Sequence, residues 1–410
     1  REQLGDGGTG RVAPGARGVQ LQRGLERRGA QLARALGTGA TGFGELAWHA
    51  EGVSDDALAR RIRIALERLP ADDPLRAQLE ARLAVDRAWS APAEARDLMR
   101  AACARPAPAT ATLRERARIE LARFLVDSAP ERAAQRLELA ARLVAQARGE
   151  QDPVVEAAAL THRLPLLGEL GHVAAVREDG TRLETLAEVL ADPVYRRVAV
   201  AARLFAAFVA GSREEAARLA RAAAPGELAA TDELGLDWQR LRLRLADGEP
   251  ERAVAGLYEL VQQRPSFDGL RALAALGCAL AGRLEEARRR AAAWRVDQLP
   301  EIGRGSGGEL HAWSALALVA ARTGDTDRAA VLRTLLEPFA DRHAVAPWLS
   351  YLAPVHRPLG ELARVLGDEA AAGAHFQAGA AAARALGAGE LAAAIAAEAG
   401  PPAQRVRDRI

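Results

Sequence analysis

Gly5-Asp6-Gly7-Gly8-Thr9-Gly10-Arg11-Val12 fits, letter for letter, the G-x-G-x-x-G-x-V loop that covers ATP phosphates in protein kinases. That loop works with a strand lysine on the α- and β-phosphates, and a P-loop ATPase needs Gly-Lys-Ser/Thr. The chain has no lysine, since all 56 of its basic residues are arginine, and it has no DFG. No strand pattern flanks the glycines, so the stretch reads as a linker or the edge of a preceding domain. The seven histidines (49, 162, 172, 311, 343, 356 and 375) contain no i,i+4 pair and no HExxH, which removes the helical zinc-protease arrangement. His49-Ala50-Glu51 has the H-x-E of zinc deaminases, but no P-C-x-x-C follows. Gly305-Ser306-Gly307 is not a nucleophile elbow, because Arg304 stands where the first glycine belongs. The adjacent acids Glu285 and Glu286 diverge by about 100° on a helix and make no acid/base dyad. Cys103 and Cys278 lie far apart with no CxxC, so they read as small core residues of a cytoplasmic protein. The expectation is a chain with no catalytic residue, no cofactor site and no metal site.

Composition gives the elements. Of 410 residues 49% are hydrophobic and only 4% aromatic, so the apolar mass is Ala, Leu and Val. Ala, Leu, Arg and Glu are strong helix formers, and the period-two runs that mark strands are missing. The expected class is all-α. Exclusive use of arginine is the mark of a GC-rich genome. With 54 acids the net charge is only +2 and the signs alternate along the helices, which describes a solvated helical surface better than a nucleic-acid footprint. No stretch reaches the ~18 uncharged apolar residues of a membrane span; the nearest, Val198 to Val209, is interrupted by Arg203. Arg1 stands where a start Met would, with no secretory pattern after it, so a covalently linked upstream domain is expected.

A turn series organises the chain. Gly282-Arg-Leu-Glu-Glu-Ala287 recurs at Gly211/Ala216, Gly248/Ala253, Gly324/Ala329 and Gly367/Ala372, with looser copies at Ser90/Ala95, Ser128/Ala133 and Gly171/Val176. Successive copies are 34 to 43 residues apart, the period of stacked helical hairpins. The glycine supplies a left-handed helix end, and the small residue lets two helices cross closely. The pattern predicts helices over 55–68, 73–88, 91–103, 110–126, 130–147, 153–167, 172–190, 193–210, 212–223, 231–246, 250–263, 267–281, 283–295, 309–322, 325–339, 347–366, 368–386 and 388–398. Residues 1–40 read as a Gly-rich lead-in with a first helix, 41–400 as the array, best matched over 193–398, and 401–410 as a tail. Arg295 to Gly308 is long, Gly-rich and charged, and reads as a mobile insertion.

Leu359-Gly360, Gly367, Ala372 and Phe376 resemble the tetratricopeptide pattern, as do Trp313 and Leu316 before Gly324 and Ala329, and Gly248, Ala253, Leu257 and Pro265. The stretches Leu335-Leu336-Glu337-Pro338-Phe339, Leu359-Gly360-Glu361-Leu362-Ala363, His375-Phe376 and Ala385-Leu386-Gly387-Ala388 also look like the helical-repeat arm of large bacterial signalling ATPases, LuxR-type and cyclase-linked regulators among them. The resemblance implies a right-handed superhelical solenoid of about eight hairpins. It also implies a sensor or docking role in signalling or transcription regulation, with a peptide or protein segment or a small effector as partner. Inner helices of such arrays line the binding face. In that register the face carries Phe205 and Phe208, then Trp238 and Arg242, then His311 and Ser314, then Arg357, Glu361 and Arg364. Phe205, Phe208 and Trp238 read equally as core. The alternatives are an Arg-rich nucleic-acid-binding array and an enzyme whose site is unrecognised.

Overall fold

Five of the predicted turns do locally what their glycines dictate. Gly171, Gly211, Gly282, Gly324 and Gly367 all have φ between 69° and 82°, where only glycine sits without strain. At these turns the second residue past the helix returns its N–H to a carbonyl five residues back: His172 to Leu167, Ser212 to Ala207, Arg283 to Cys278, Asp325 to Ala320, Asp368 to Ala363. The next helix then starts on a side-chain cap in several cases. Asp325 accepts from Arg328 N–H and Asp368 from Ala371 N–H, while Thr112 and Glu115 form a reciprocal capping box.

The computed structural model describes residues 56–88, 90–222, 249–263, 265, 267–303, 308–347 and 349–400. The helices of the first half are α1 (Asp56–Arg68), α2 (Leu75–Arg87), α3 (Pro92–Ala104), α4 (Leu113–Val126), α5 (Ala133–Gly149), α6 (Pro153–Glu169), α7 (Val173–Leu190), α8 (Pro193–Val209) and α9 (Arg213–Ala222). Those of the second half are α10 (Pro250–Gln263), α11 (Asp268–Leu280), α12 (Leu284–Ala291), α13 (Glu309–Thr323), α14 (Thr326–Leu336), α15 (His356–Val365), α16 (Glu369–Ala385) and α17 (Gly389–Glu398). Short 3₁₀ turns lie at Pro130–Arg132, Val296–Glu301 and Glu337–Phe339. The predicted first helix, the predicted helix over 231–246 and the tail 401–410 lie outside the described residues.

Sequential helices pair as antiparallel hairpins, and alternate helices also touch: α2 with α4, α4 with α6, α6 with α8, then α11 with α13 and α13 with α15. These alternate helices form an inner layer. Their sequences show it, because α6 and α13 are buried nearly all round, whereas α12 buries only Ala287 and Ala291. The residue five positions after each turn, alanine in seven cases and valine in one, is buried. Ala95, Ala133, Val176, Ala216, Ala253, Ala287, Ala329 and Ala372 are all 0 or 1% exposed.

Two expectations need correction. The predicted helix over 347–366 begins only at His356. Before it, β1 (His343–Val345) and β2 (Tyr351–Pro354) form an antiparallel hairpin with a register shift between Ala344 and Val345. Pro354 disfavours helical backbone at Ala353, and Pro347 denies an N–H to any helix running through it. The stretch 295–303 is not a free insertion. Its 3₁₀ turn buries Leu299 and Ile302, and Trp313 Nε1 donates to the Leu299 carbonyl at 2.9 Å.

Both strands of the β-hairpin are buried along their whole length. Val345, Leu349 and Tyr351 belong to an apolar cluster built on α4–α9 and α16–α17, while Ala344, Leu352, Ala353 and Val355 belong to one built on α10–α15. A two-stranded hairpin is marginal alone. Here both faces are covered, and it joins the two halves. Contacts such as Arg342 with Glu169 therefore link residues far apart in sequence, which an open array of neighbour-only contacts would not produce.

Candidate functional site

The residues nominated for partner binding fall into three groups. Trp238 and Arg242 lie outside the described residues. His311 and Ser314, three apart on α13, are 1% and 0% exposed, inside the inner layer. Phe205 is likewise fully buried and meets the Tyr351 ring edge-on at a centroid distance of 5.9 Å.

Arg357, Glu361 and Arg364 lie on α15, facing α16 and α17. Arg357 forms a two-pronged pair with Glu398, its Nε donating at 3.0 Å and a terminal nitrogen at 2.6 Å. Arg364 lies over the Phe376 ring at 4.5 Å, sits 3.5 Å from Glu361, and donates to the Glu398 carbonyl. The α15 triad thus staples the last helix onto the array. The tetratricopeptide register assigned these side chains to a partner-binding face; in the structure α16 and α17 engage them instead.

A polar seam runs beside the β-hairpin. Arg342 donates to Glu169 at 2.7 Å and to the Pro130 carbonyl. Burial pushes the Glu169 carboxyl up, and the Arg342 guanidinium opposes it. Arg136 lies over Phe124 at 4.2 Å and donates to the Ser128 carbonyl at 3.1 Å. Phe124 in turn meets His162, whose pKa burial pushes down to about 3, helped by the positive charge of Arg136. Motif reading missed this seam because its members are spread from 124 to 342.

A second polar cluster joins α10, α11 and α12. The Tyr258 hydroxyl lies 2.9 Å from Cys278 Sγ and donates to Glu286, and the Arg290 guanidinium stacks on the tyrosine ring at 3.7 Å. Burial pushes both the Tyr258 hydroxyl and the Cys278 thiol up, so neither is a ready nucleophile. Arg290, from the triplet 288–290, is thereby occupied within the fold, and Arg288 donates to the Thr323 carbonyl and to Glu285. Cys103, expected in the core, is exposed.

An open cavity lies in the first half. It measures about 880 Å³ and is bounded by the α1–α2 loop at Ala71–Pro74 and the α3–α4 loop at Arg105–Ala111. Gln78 of α2, Glu115, Arg116 and Ile119 of α4, and Pro106 and Pro108 of the α3–α4 loop also line it. Arg105 is held on one wall by a two-pronged pair with Glu80 at 2.8 and 2.9 Å. Part of the lining is apolar and part carries both charge signs, which suits a peptide better than a single compact anion.

The kinase-like loop, His49/Glu51 and Ser306 all lie outside the described residues. Among the described residues no three His, Cys, Asp or Glu side chains converge as a metal site requires, and no helix is long and apolar enough to cross a membrane. The sequence matches no protein-family model and no curated protein.

Proposed function

We propose that the chain is a tetratricopeptide-like helical-repeat arm of a bacterial signalling or transcription-regulatory protein, working as a non-catalytic docking module for a peptide or protein segment. The observation that carries this reading is the regular turn: a left-handed glycine at five turns, and a buried alanine or valine five positions after each of eight. The contact between helical Gly360 and the Phe376 ring supports the tetratricopeptide likeness. There a Cβ would come within 2.9 Å of the ring, so the Gly of the first helix and the aromatic of the second depend on each other.

The partner segment goes to the open cavity over α2 and α4. Downstream, the inner faces of α6, α13 and α15 are occupied by the β-hairpin, and the α15 arginines are engaged by α17. Binding there would bias the conformational equilibrium of a neighbouring domain.

The test is selection from a displayed random-peptide library on the purified chain, with affinities measured for wild type and Thr110→Arg. Thr110 is exposed and lines the cavity, so its substitution leaves the fold intact. Selected peptides should lose at least tenfold in affinity to the variant, with a shallow salt dependence. Failure to select any peptide, or affinities indifferent to Thr110→Arg, refutes the docking site. A steep fall in single- or double-stranded nucleic-acid binding with salt would favour the Arg-rich nucleic-acid reading instead.

A further inference from the structure

His356 opens α15 directly after β2, and His375 lies midway along α16. Their Nδ1 atoms are 3.0 Å apart and their ring centroids 5.3 Å apart. That centroid separation is about the longest a 3.0 Å contact between two ring atoms permits, so the nitrogens meet head-on. A head-on nitrogen contact of this length holds one proton: two bare lone pairs repel, and two N–H groups collide. On the outer sides, His356 Nε2 lies 3.4 Å from Asp341 and His375 Nε2 lies 3.8 Å from Glu337, so each carboxylate favours an N–H.

We propose that His356 and His375 form a proton-sharing imidazole pair that latches the root of the β-hairpin to α16, holding while one proton bridges the rings and releasing when both rings are fully protonated.

The proton count supports it. Two neutral imidazoles own two N–H groups for three polar contacts. One added proton fills all three. A second puts N–H against N–H and drives the rings apart. The groups facing the pair come from every neighbouring element. Glu337 of the 3₁₀ turn and Asp368 at the α16 N-cap raise the His375 pKa, while Arg333 of α14 and the His356 ring lower it. His343 of β1 interacts with His356, Asp341 sits in the loop before β1, and Arg357, next to His356, is occupied by Glu398. Burial is the largest influence on His375 and lowers its pKa. The latch connects to the hairpin through Val355, whose N–H donates to the Arg342 carbonyl at 2.9 Å. The proposal is independent of the peptide-docking reading.

The experiment combines side-chain ¹⁵N NMR titration of the histidines with hydrogen exchange at pH 7 and pH 5, corrected for intrinsic rates, in wild type and His375→Gln. Expected are coupled two-step titrations of both rings. Protection of the Ala346 and Val355 amides should fall at least tenfold in wild type between the two pH values, and not in His375→Gln. Independent single-step titrations, or an equal loss in the variant, overturn the latch. Should His375→Gln not fold, Glu337→Gln decides, since the Glu337 side chain is half-exposed and its carboxylate raises the His375 pKa. Loss of that carboxylate should move the His375 step to lower pH while the coupling to His356 persists, and an uncoupled His375 step overturns the proposal.

Discussion

At the scale of single residues, the buried histidines set the acid limit of the fold. Burial pushes His162 down to about 3 and His343 down to about 4, so both are neutral in the folded protein near neutral pH. In the unfolded chain an ordinary histidine titrates near 6.5. Below that value the unfolded chain therefore binds more protons than the folded one, and stability falls as pH falls. Their stabilising contribution is complete above about pH 6.5 and is lost progressively toward pH 3–4; each contributes roughly 3 kcal/mol to the loss by pH 4. Denaturant melts between pH 7 and pH 4 should show this slope in wild type, with about half of it missing in His162→Leu. An unchanged slope in that variant would mean that the His162 ring is not desolvated beside Phe124 and Arg136. The sequence offered no sign of this, because a lone histidine in a helical pattern looks the same whether its neighbours are water or an aromatic ring.

At the scale of the element, the hairpin turn was almost wholly legible. Apart from the helix predicted over 347–366, the described helix ends agree with the predicted ones within about four residues, because caps, left-handed glycines and first-turn acids are local chemistry. Gly282 has open space where a Cβ would sit, so Gly282→Ala pays only for φ at 78°. Ala287, five residues on, is fully buried, where a close helix crossing would need a small side chain. Ala287→Trp should overpack it and destabilise by roughly 1–3 kcal/mol or more. Hydrogen exchange should then show the damage concentrated over α10–α14. An unchanged melting curve would remove Ala287 from the crossing, and uniform loss over the whole chain would argue against repeat-like additivity. The element that local rules missed is the β-hairpin. Its apolar residues sit between prolines in a chain that is otherwise helix-rich, and seven strand residues carry no period long enough to announce themselves.

At the scale of the whole molecule, the contact between Arg342 and Glu169 joins the two halves across 173 positions of sequence. The pair is mostly buried, so removing one partner strands the other charge. Glu169→Gln should cost roughly 3 kcal/mol. The loss should appear together in α6, in the β-hairpin and in α13. Loss confined to α6 would mean that the halves are held by apolar packing alone. This joint also decides which surfaces a partner can reach. It covers inner faces that an open array would offer, and leaves the cavity over α2 and α4 open.

The sequence by itself determined most of the described helices, their glycine turns and the buried small residue after each, because each depends on groups within about a turn of one another. Only the tertiary structure decided what covers Arg357, Glu361 and Arg364, where the β-hairpin inserts, and that His356 meets His375. Those outcomes depend on how distant segments share buried space, and the free energy of that packing belongs to pairs of elements that no local pattern records.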